Sequence, residues 1–550
     1  GQLTAYFRNP PEQPFTSIKL NFDRSVLAPL ANPLVCGSPT GSASFEPTAR
    51  PGTTKNDPFG ISVTGCAATL PFSLAQSTEN ENENGGGHTA WAINYSRGDG
   101  NQYLQKISTT LPPGLVGAIP AATQCAEAQA NAGTCAASSR IGTAAVQAGS
   151  GPAPFTFNGP VYLTGPYQGA PYGLSIAVPA VAGPFNLGTV VTRATLRVNP
   201  FTAQVTAEST VPTIFKGIPL RLRSINVTTN RQGFLFNPTN CSPLATVSTL
   251  TSTEGATQTL STPFQVANCS KLGFSPKFAA STSAKSSRVN GASLVTTLTP
   301  GVGQANIKSV KVQLPKQLPS RLTSLQKACT AAVFDANPAA CPATSSPGTA
   351  SAITPTLPGK LTGKAYFVSH GGAAFPDLDL VMEDQGVRVI LVGNTDIKNS
   401  VTTTTFASTP DVPVSSVTVT LPTGPHSALA AFGNLCTKPL LMPTTITGQN
   451  GKVTKQNTII KVNQCGVQIV GRKVVGKTAF LTIKTFEAGR ITASGKGVGT
   501  VRRSVRGATK LSLKVPLRHG KPFRAKIKVS FVPKKRGGTR SSATTAVRFH

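Results

Sequence analysis

Apolar residues recur at every second position through much of this chain. Val417, Val419 and Leu421 alternate with Thr418 and Thr420, the period of a strand with one buried face. Leu220 and Leu222 alternate in the same way with Arg221 and Arg223. Ile225 and Val227 continue that run one residue out of phase, which predicts a bulge near Ser224. Near the C-terminus, Phe523, Ala525, Ile527, Val529 and Phe531 face one way, with Arg524, Lys526 and Lys528 between them. Leu511, Leu513, Val515 and Leu517 repeat the pattern, with Lys510 and Lys514 opposite. Gly98-Asp99-Gly100, Gly165-Pro166 and Gly424-Pro425 are turn signals between such runs. Two stretches read as short helices, Ala121–Ala132 and Leu322–Phe334, and frequent prolines argue against longer ones.

The pattern repeats at long range. Val161–Gly165 matches Ala365–Ser369, and Cys135–Ala144 matches Cys341–Ala350, at an offset of 204 to 206 residues. Leu111-Pro112 and Leu314-Pro315 precede them at matching distances. The cysteines obey the same rule. One unit carries Cys125, Cys135, Cys241 and Cys269; the next carries Cys329, Cys341, Cys436 and Cys465. Cys36 and Cys66 repeat the late gap, and Asn32–Cys36 corresponds to Asn237–Cys241. Residues 1–66 are therefore expected to be the tail of a truncated repeat, followed by units at 67–269 and 270–465 and a separate domain at 466–550. A signal peptide is expected upstream.

Repetition also gives the pairing. The expected disulfides are Cys36–Cys66, Cys125–Cys135, Cys241–Cys269, Cys329–Cys341 and Cys436–Cys465, with no zinc site, since no Cys-x-x-Cys occurs. A loop of nearly thirty residues closed this way contributes about 3 kcal/mol through the unfolded state. Disulfides imply an oxidising, extracellular or cell-surface setting. No run of apolar residues is long enough for a membrane-spanning helix, so no membrane insertion is expected. The fold class expected is all-β: a tandem array of disulfide-stapled, Ig-like β-sandwich domains with one short helix per repeat, plus a small basic C-terminal β-sandwich.

Charge changes the picture only at the end. Residues 466–550 hold 21 Lys and Arg against one acid, Glu487, a balance beyond what solubility needs. Lys510, Lys514, Arg524, Lys526 and Lys528 are the candidate polyanion-binding residues. Nucleic acid is the less favoured partner, because this stretch contains no Tyr or Trp to stack on bases. Anionic cell-wall polymer or exopolysaccharide fits better.

Other chemistry is thin. Of the five histidines (His88, His370, His426, His519 and His550), only His370 is followed by carboxylates: Asp377, Asp379, Glu383 and Asp384. They could form a calcium or acid–base site. The favoured reading is that they form the solvent face of Leu378–Met382 and the following hairpin turn. The first unit has Gly173 and Ser175 in place of Asp377 and Asp379, so no ligand set is repeated. Tyr162, Tyr167 and Tyr172 could stack on sugar, but only Tyr162 has a counterpart, Tyr366, which favours packing. Leu421–Gly424 resembles a wall-sorting signal but lies mid-chain without the apolar segment and basic tail. No nucleophile-elbow, zincin or P-loop motif occurs, and no cofactor or catalytic residue is expected.

Leu111–Leu115, the pair Cys125 and Cys135, and Gly159–Pro166 together resemble a repeat common in large secreted proteins of high-GC soil actinobacteria. The tail, with Gly489–Lys496, is similar to C-terminal domains of the same group. The resemblance spans nearly the whole chain, though Lys316-Gln317 departs from the Pro-Gly step. It implies compartment and architecture and carries over no active site. The expected function is a non-enzymatic secreted or surface structural or adhesive protein. The alternatives are a carbohydrate- or wall-polymer-binding module and an accessory region of a secreted hydrolase.

Overall fold

The computed structural model describes all residues except 1, 2, 24, 26, 27, 68, 434, 437, 464, 519–523, 535–539 and 550, so Phe523, His519 and His550 fall outside the described residues. The chain packs as two units, residues 1–199 with 204–267, and residues 200–203 with 268–550. Strands dominate both. No described helix is long and apolar enough to cross a membrane.

Eleven strands form one sheet in the first unit. They are β1 (Leu74–Asn80), β2 (Trp91–Arg97), β3 (Leu104–Thr110), β4 (Arg140–Ala148), β5 (Phe155–Thr164), β6 (Tyr172–Ala182), β7 (Phe185–Val198), β8 (Val205–Thr210), β9 (Leu222–Thr229), β10 (Leu244–Ser252) and β11 (Thr257–Phe264). Their order in space is β1-β2-β9-β4-β5-β6-β7-β8-β3-β10-β11. The sheet folds over on itself. The Tyr95 hydroxyl on β2 meets Thr109 Oγ1 of β3 at 2.5 Å and Ser248 Oγ of β10 at 2.8 Å, although neither strand is its neighbour in the ladder. Side chains tie the two outermost strands together. Leu74 N–H donates to Gln258 Oε1 at 2.7 Å, and Gln76 Nε2 donates to Thr262 Oγ1 at 2.8 Å.

The second unit carries a thirteen-stranded sheet. Its main strands are β12 (Lys277–Ser283), β13 (Leu294–Thr299), β14 (Ile307–Gln313), β15 (Gly348–Ile353), β16 (Lys360–Ser369), β17 (Asp377–Asp384), β18 (Val387–Leu391), β19 (Gly393–Lys398), β20 (Val401–Phe406), β21 (Ser416–Leu421), β22 (Leu440–Gly448) and β23 (Val453–Asn463). The order is β18-β17-β16-β15-β21-β13-β12-β23-β22-β14-β20-β19. Taken in chain order, these strands follow the same circuit as the first unit, opened at a different point. The long β7 is replaced by β18 and β19, which separate, while β12 and β23 close by parallel pairing, Ala280 opposite Ile460. The repeated glycines have a common cause. A Cβ on Gly142 or Gly348 would strike the carbonyl of Thr228 or Thr420, and one on Gly159 or Gly363 that of Ala177 or Val381.

The structure pairs Cys36 with Cys66, Cys125 with Cys135, Cys329 with Cys341, and Cys436 with Cys465. Cys241 and Cys269 are also disulfide-bonded, and among the described residues no cysteine is free. The late pairs share one design. Each brackets a hairpin: Thr40–Phe45 with Lys55–Gly60, β10 with β11, and β22 with β23. The early pairs frame helices α1 (Glu127–Ala132) and α3 (Ala331–Ala336); between them in sequence lies the short α2 (Leu322–Leu325).

Several expectations need correcting. Helix does not fill Ala121–Ala132 or Leu322–Phe334. The sheet captures the residues just before each disulfide-framed helix: Cys125 N–H donates to Leu163 O at 2.9 Å, and Cys329–Thr330 pairs in parallel with Val368–Ser369. Among its described residues the second unit has two short α-helices, not one. The alternation in β21 does not give one wet face, since Ser416–Thr420 are all half-buried and Leu421 is buried. The run from Leu220 is broken at Arg221, whose φ of 43° is left-handed, and β9 begins at Leu222. Its register against β4 then shifts between Leu222 and Ser224, where the change of phase predicted a bulge.

Residues 466–550 form a two-layer sandwich. One sheet is β24 (Val467–Val475), β25 (Thr478–Thr485) and β28 (Thr509–Pro516), in the order β24-β25-β28. The other is β26 (Gly489–Ser494), β27 (Val501–Val505), β29 (Arg524–Pro533) and β30 (Ser541–Arg548), in the order β27-β26-β29-β30. Leu481, Ile483, Leu513 and Val515 of the first sheet and Ile491, Ile527, Val529 and Phe531 of the second share one buried core.

Candidate polyanion-binding faces and a buried acidic site

Alternation puts the basic side chains of the sandwich outward. Lys510 and Lys514 of β28 are exposed, as are Arg524, Lys526 and Lys528 of β29. They do not share a surface. β28 pairs with β25, whereas β29 pairs with β26 and β30, so the five residues divide between the outer faces of two sheets. Cross-strand partners in an antiparallel ladder lie on the same face. On the first face Lys510 sits opposite Lys484, and Lys514 opposite Phe480, which Lys473 flanks from β24. Lys514 Nζ lies 5.9 Å from the Phe480 ring centroid, within cation–π reach. On the second face Arg524 sits opposite Arg548, and Arg490 and Arg502 extend the charge across β26 and β27. Sequence reasoning missed Lys473, Lys484, Arg490, Arg502 and Arg548, which join these faces only through the strand pairing.

Like charges directly opposite one another destabilise a ladder by roughly 0.2–1 kcal/mol. Lys484–Lys510 and Arg524–Arg548 are such pairs, one on each face. Among the described residues, no ion pair joins any of these cations to a carboxylate.

Of the carboxylates after His370, Glu383 is exposed, but Asp377 and Asp379 are not where a solvent face would put them. Asp377 is 9% exposed and Asp379 1% exposed. Their cross-strand partners are Val368 and Tyr366. That side of the sheet packs beneath α3 and the Cys329–Cys341 disulfide, in a cluster with Phe334 and Ile390. Asp379 Oδ1 accepts from Gly393 N–H at 3.3 Å, and Asp377 Oδ2 accepts from Asn394 Nδ2 at 2.9 Å. His370 Nε2 stands 3.5 Å from Asp377 Oδ2. Burial pushes the Asp379 carboxyl up to about 7; the Gly393 N–H opposes the shift and neighbouring Asp377 adds to it. Glu383 turns away to Arg388 at 3.2 Å. Among the described residues, no three His, Cys, Asp or Glu side chains converge as metal ligands. The four carboxylates therefore do not converge as a calcium site, which would need six to eight oxygens.

The first unit solves the same position differently. Ser175, at the place of Asp379, is fully buried, and its hydroxyl donates to Ala130 O on α1 at 2.6 Å. Arg193, opposite Ser175, pairs with Glu127 at 3.1 Å, reaches Asn131, and lies 4.2 Å over the Tyr167 ring. This contact holds the Glu127 carboxyl below its ordinary range. No sequence signal links Arg193 to α1, since the two are joined only by the fold. The tyrosines do not make a stacking platform: Tyr172 is buried and Tyr167 is covered by Arg193.

No family model matches the chain, and no curated protein matches it. Among solved structures, a biofilm-associated protein BSP domain is similar at 9% identity, covering 88% of this chain and 83% of its own, with a TM-score of 0.15. The C-terminal domain of the Streptococcus agalactiae AgI/II polypeptide BspA is 9% identical, covering 70% of this chain and 99% of its own, at 0.17. Native E. coli alpha-2-macroglobulin is 10% identical, covering 91% of this chain and 24% of its own, at 0.14. Overlays this weak identify neither a family nor a partner, and the architecture rests on the strand pairing itself.

Proposed function

We propose that this chain is an extracellular structural or adhesive scaffold, whose disulfide-stapled units are attached to anionic polymer by the C-terminal sandwich. The observation that carries the reading is the set of exposed cations over an apolar core, without carboxylate partners among the described residues. Such cations can meet phosphates or carboxylates while staying solvated, so binding has no burial penalty to overcome. Disulfide-bonded cysteines throughout fit an oxidising compartment. The circuit of strands recurs in both units, and a repeated scaffold needs no active site to do mechanical work.

The test is retention of the full oxidised chain on immobilised poly(glycerol phosphate) across a salt series. The Debye length shrinks from about 10 Å at 0.1 M to about 3 Å at 1 M, so electrostatic retention should disappear over that range. Retention that survives molar salt, or that is matched on a neutral glycan, would replace this reading with a specific pocket.

A further inference from the structure

The C-terminal sandwich has two basic faces, and they differ. One carries Lys473, Lys484, Lys510 and Lys514. The other carries Arg490, Arg502, Arg524, Lys526, Lys528 and Arg548. The apolar core lies between the two sheets, so a polymer lying along one outer face does not touch the other. Each face holds its own unrelieved like-charge pair. We infer that the sandwich is a bivalent cross-linker, holding a separate linear phosphodiester chain on each face. The inference rests on the polyanion-binding reading above and adds valence and ligand chemistry to it.

The choice of phosphodiester follows from hydrogen-bond inventory. Residues 466–550 contain no Asp, no Asn, one Glu and one Gln. Beside the cations, the outer faces offer Ser and Thr hydroxyls, as at Thr482, Ser512, Thr492 and Ser530. Strongly accepting side chains are almost lacking. A uronic-acid polysaccharide brings many hydroxyl donors that would want such acceptors. A phosphodiester chain brings acceptor oxygens at every repeat, which suits a surface of donors. Alternate residues on a strand are roughly 6.7 Å apart, so Arg524, Lys526 and Lys528 form an extended row that a flexible chain can follow. Among the described residues, neither face projects a helix or ribbon that could enter a duplex groove. Arginine's fork matches phosphate in two-point contact, so the arginine-rich face should bind the more tightly.

The experiment uses the full oxidised chain and three variants. In the first, Lys473, Lys484, Lys510 and Lys514 become Gln. In the second, Arg490, Arg502, Arg524, Lys526, Lys528 and Arg548 become Gln. The third combines both sets. Circular dichroism and thermal unfolding verify that each folds. Calorimetry with short poly(glycerol phosphate) should give two chains bound per protein for the native sequence and one for either single-face variant. Light scattering with long polymer should rise and then fall with polymer excess for the native protein, and stay at the polymer baseline for each single-face variant. Parallel arms use polygalacturonate and duplex DNA. Cross-linking that persists in a single-face variant, one site in the native protein, or stronger binding to polygalacturonate or DNA would overturn the inference. Absence of any binding by the native protein at low salt would remove the parent reading instead. Undiminished binding by the combined variant would move the site off the sandwich, and the inference with it.

Discussion

Replacing Asp379 by Asn should change how stability depends on pH, and the size of the effect can be worked out. Asp379 is 1% exposed beneath α3, and burial holds its carboxyl at about 7 against an ordinary 3.8. At about 1.4 kcal/mol per pH unit, that difference corresponds to at most about 4 kcal/mol. In the unfolded chain the carboxyl loses its proton near pH 4, whereas the native chain keeps it to about 7. Between those values the native state binds one more proton, so stability falls as pH rises through this window and levels off above it. Asn at this position still accepts from Gly393 N–H and resembles the protonated acid. Asp379→Asn should therefore match the native protein near pH 4, exceed it by up to about 4 kcal/mol at pH 8, and lose the slope between. Asp377, His370 and Asp335 are the other titratable groups that act on this carboxyl. A His370→Gln variant separates the imidazole's contribution. The assay is urea unfolding of the oxidised chain at pH 4 to 8, followed by circular dichroism. The single tryptophan, Trp91, lies in the first unit, and its fluorescence gives an internal control that should not respond. A variant that keeps the native slope, or is less stable than the native protein at pH 8, would refute the reasoning.

Three further outcomes follow from the packing. Cys329→Ser with Cys341→Ser should cost about 3 kcal/mol through the unfolded state. By loosening the cover over Asp379 it should also flatten the pH slope, read in the same urea series. Tyr95→Phe should destabilise the first unit by about 1–2 kcal/mol, because Thr109 and Ser248 lose a buried partner; Trp91 fluorescence measures it. Gly363→Ala should cost about 1–3 kcal/mol, since its Cβ would strike the Val381 carbonyl, whereas Gly371→Ala, with open space around it, should change thermal stability by less than about 0.5 kcal/mol.

Much of this architecture is written locally or periodically. Two-residue alternation makes Ile527, Val529 and Phe531 core and Arg524, Lys526 and Lys528 surface, because successive side chains on a strand must point to opposite sides. Repetition of the cysteine gaps also carries pairing information, since a copied fold brings the same pair of positions together each time. Other features depend on which distant strand lies alongside, which periodicity does not encode. Alternation says that Lys514 and Lys526 face outward, but only the pairing of β28 with β25 and of β29 with β26 sends them to different faces. It also says that Asp377 and Asp379 share one side of β17. Whether that side is wet depends on α3 and its disulfide, which the fold lays over it. The same covering explains why Ser175 serves in one unit where an aspartate stands in the other. Below a helix a hydroxyl can satisfy a backbone carbonyl, and a carboxyl can persist there chiefly by keeping its proton. The sequence alone therefore decided which side of each strand a residue occupies, and tertiary structure decided what that side meets.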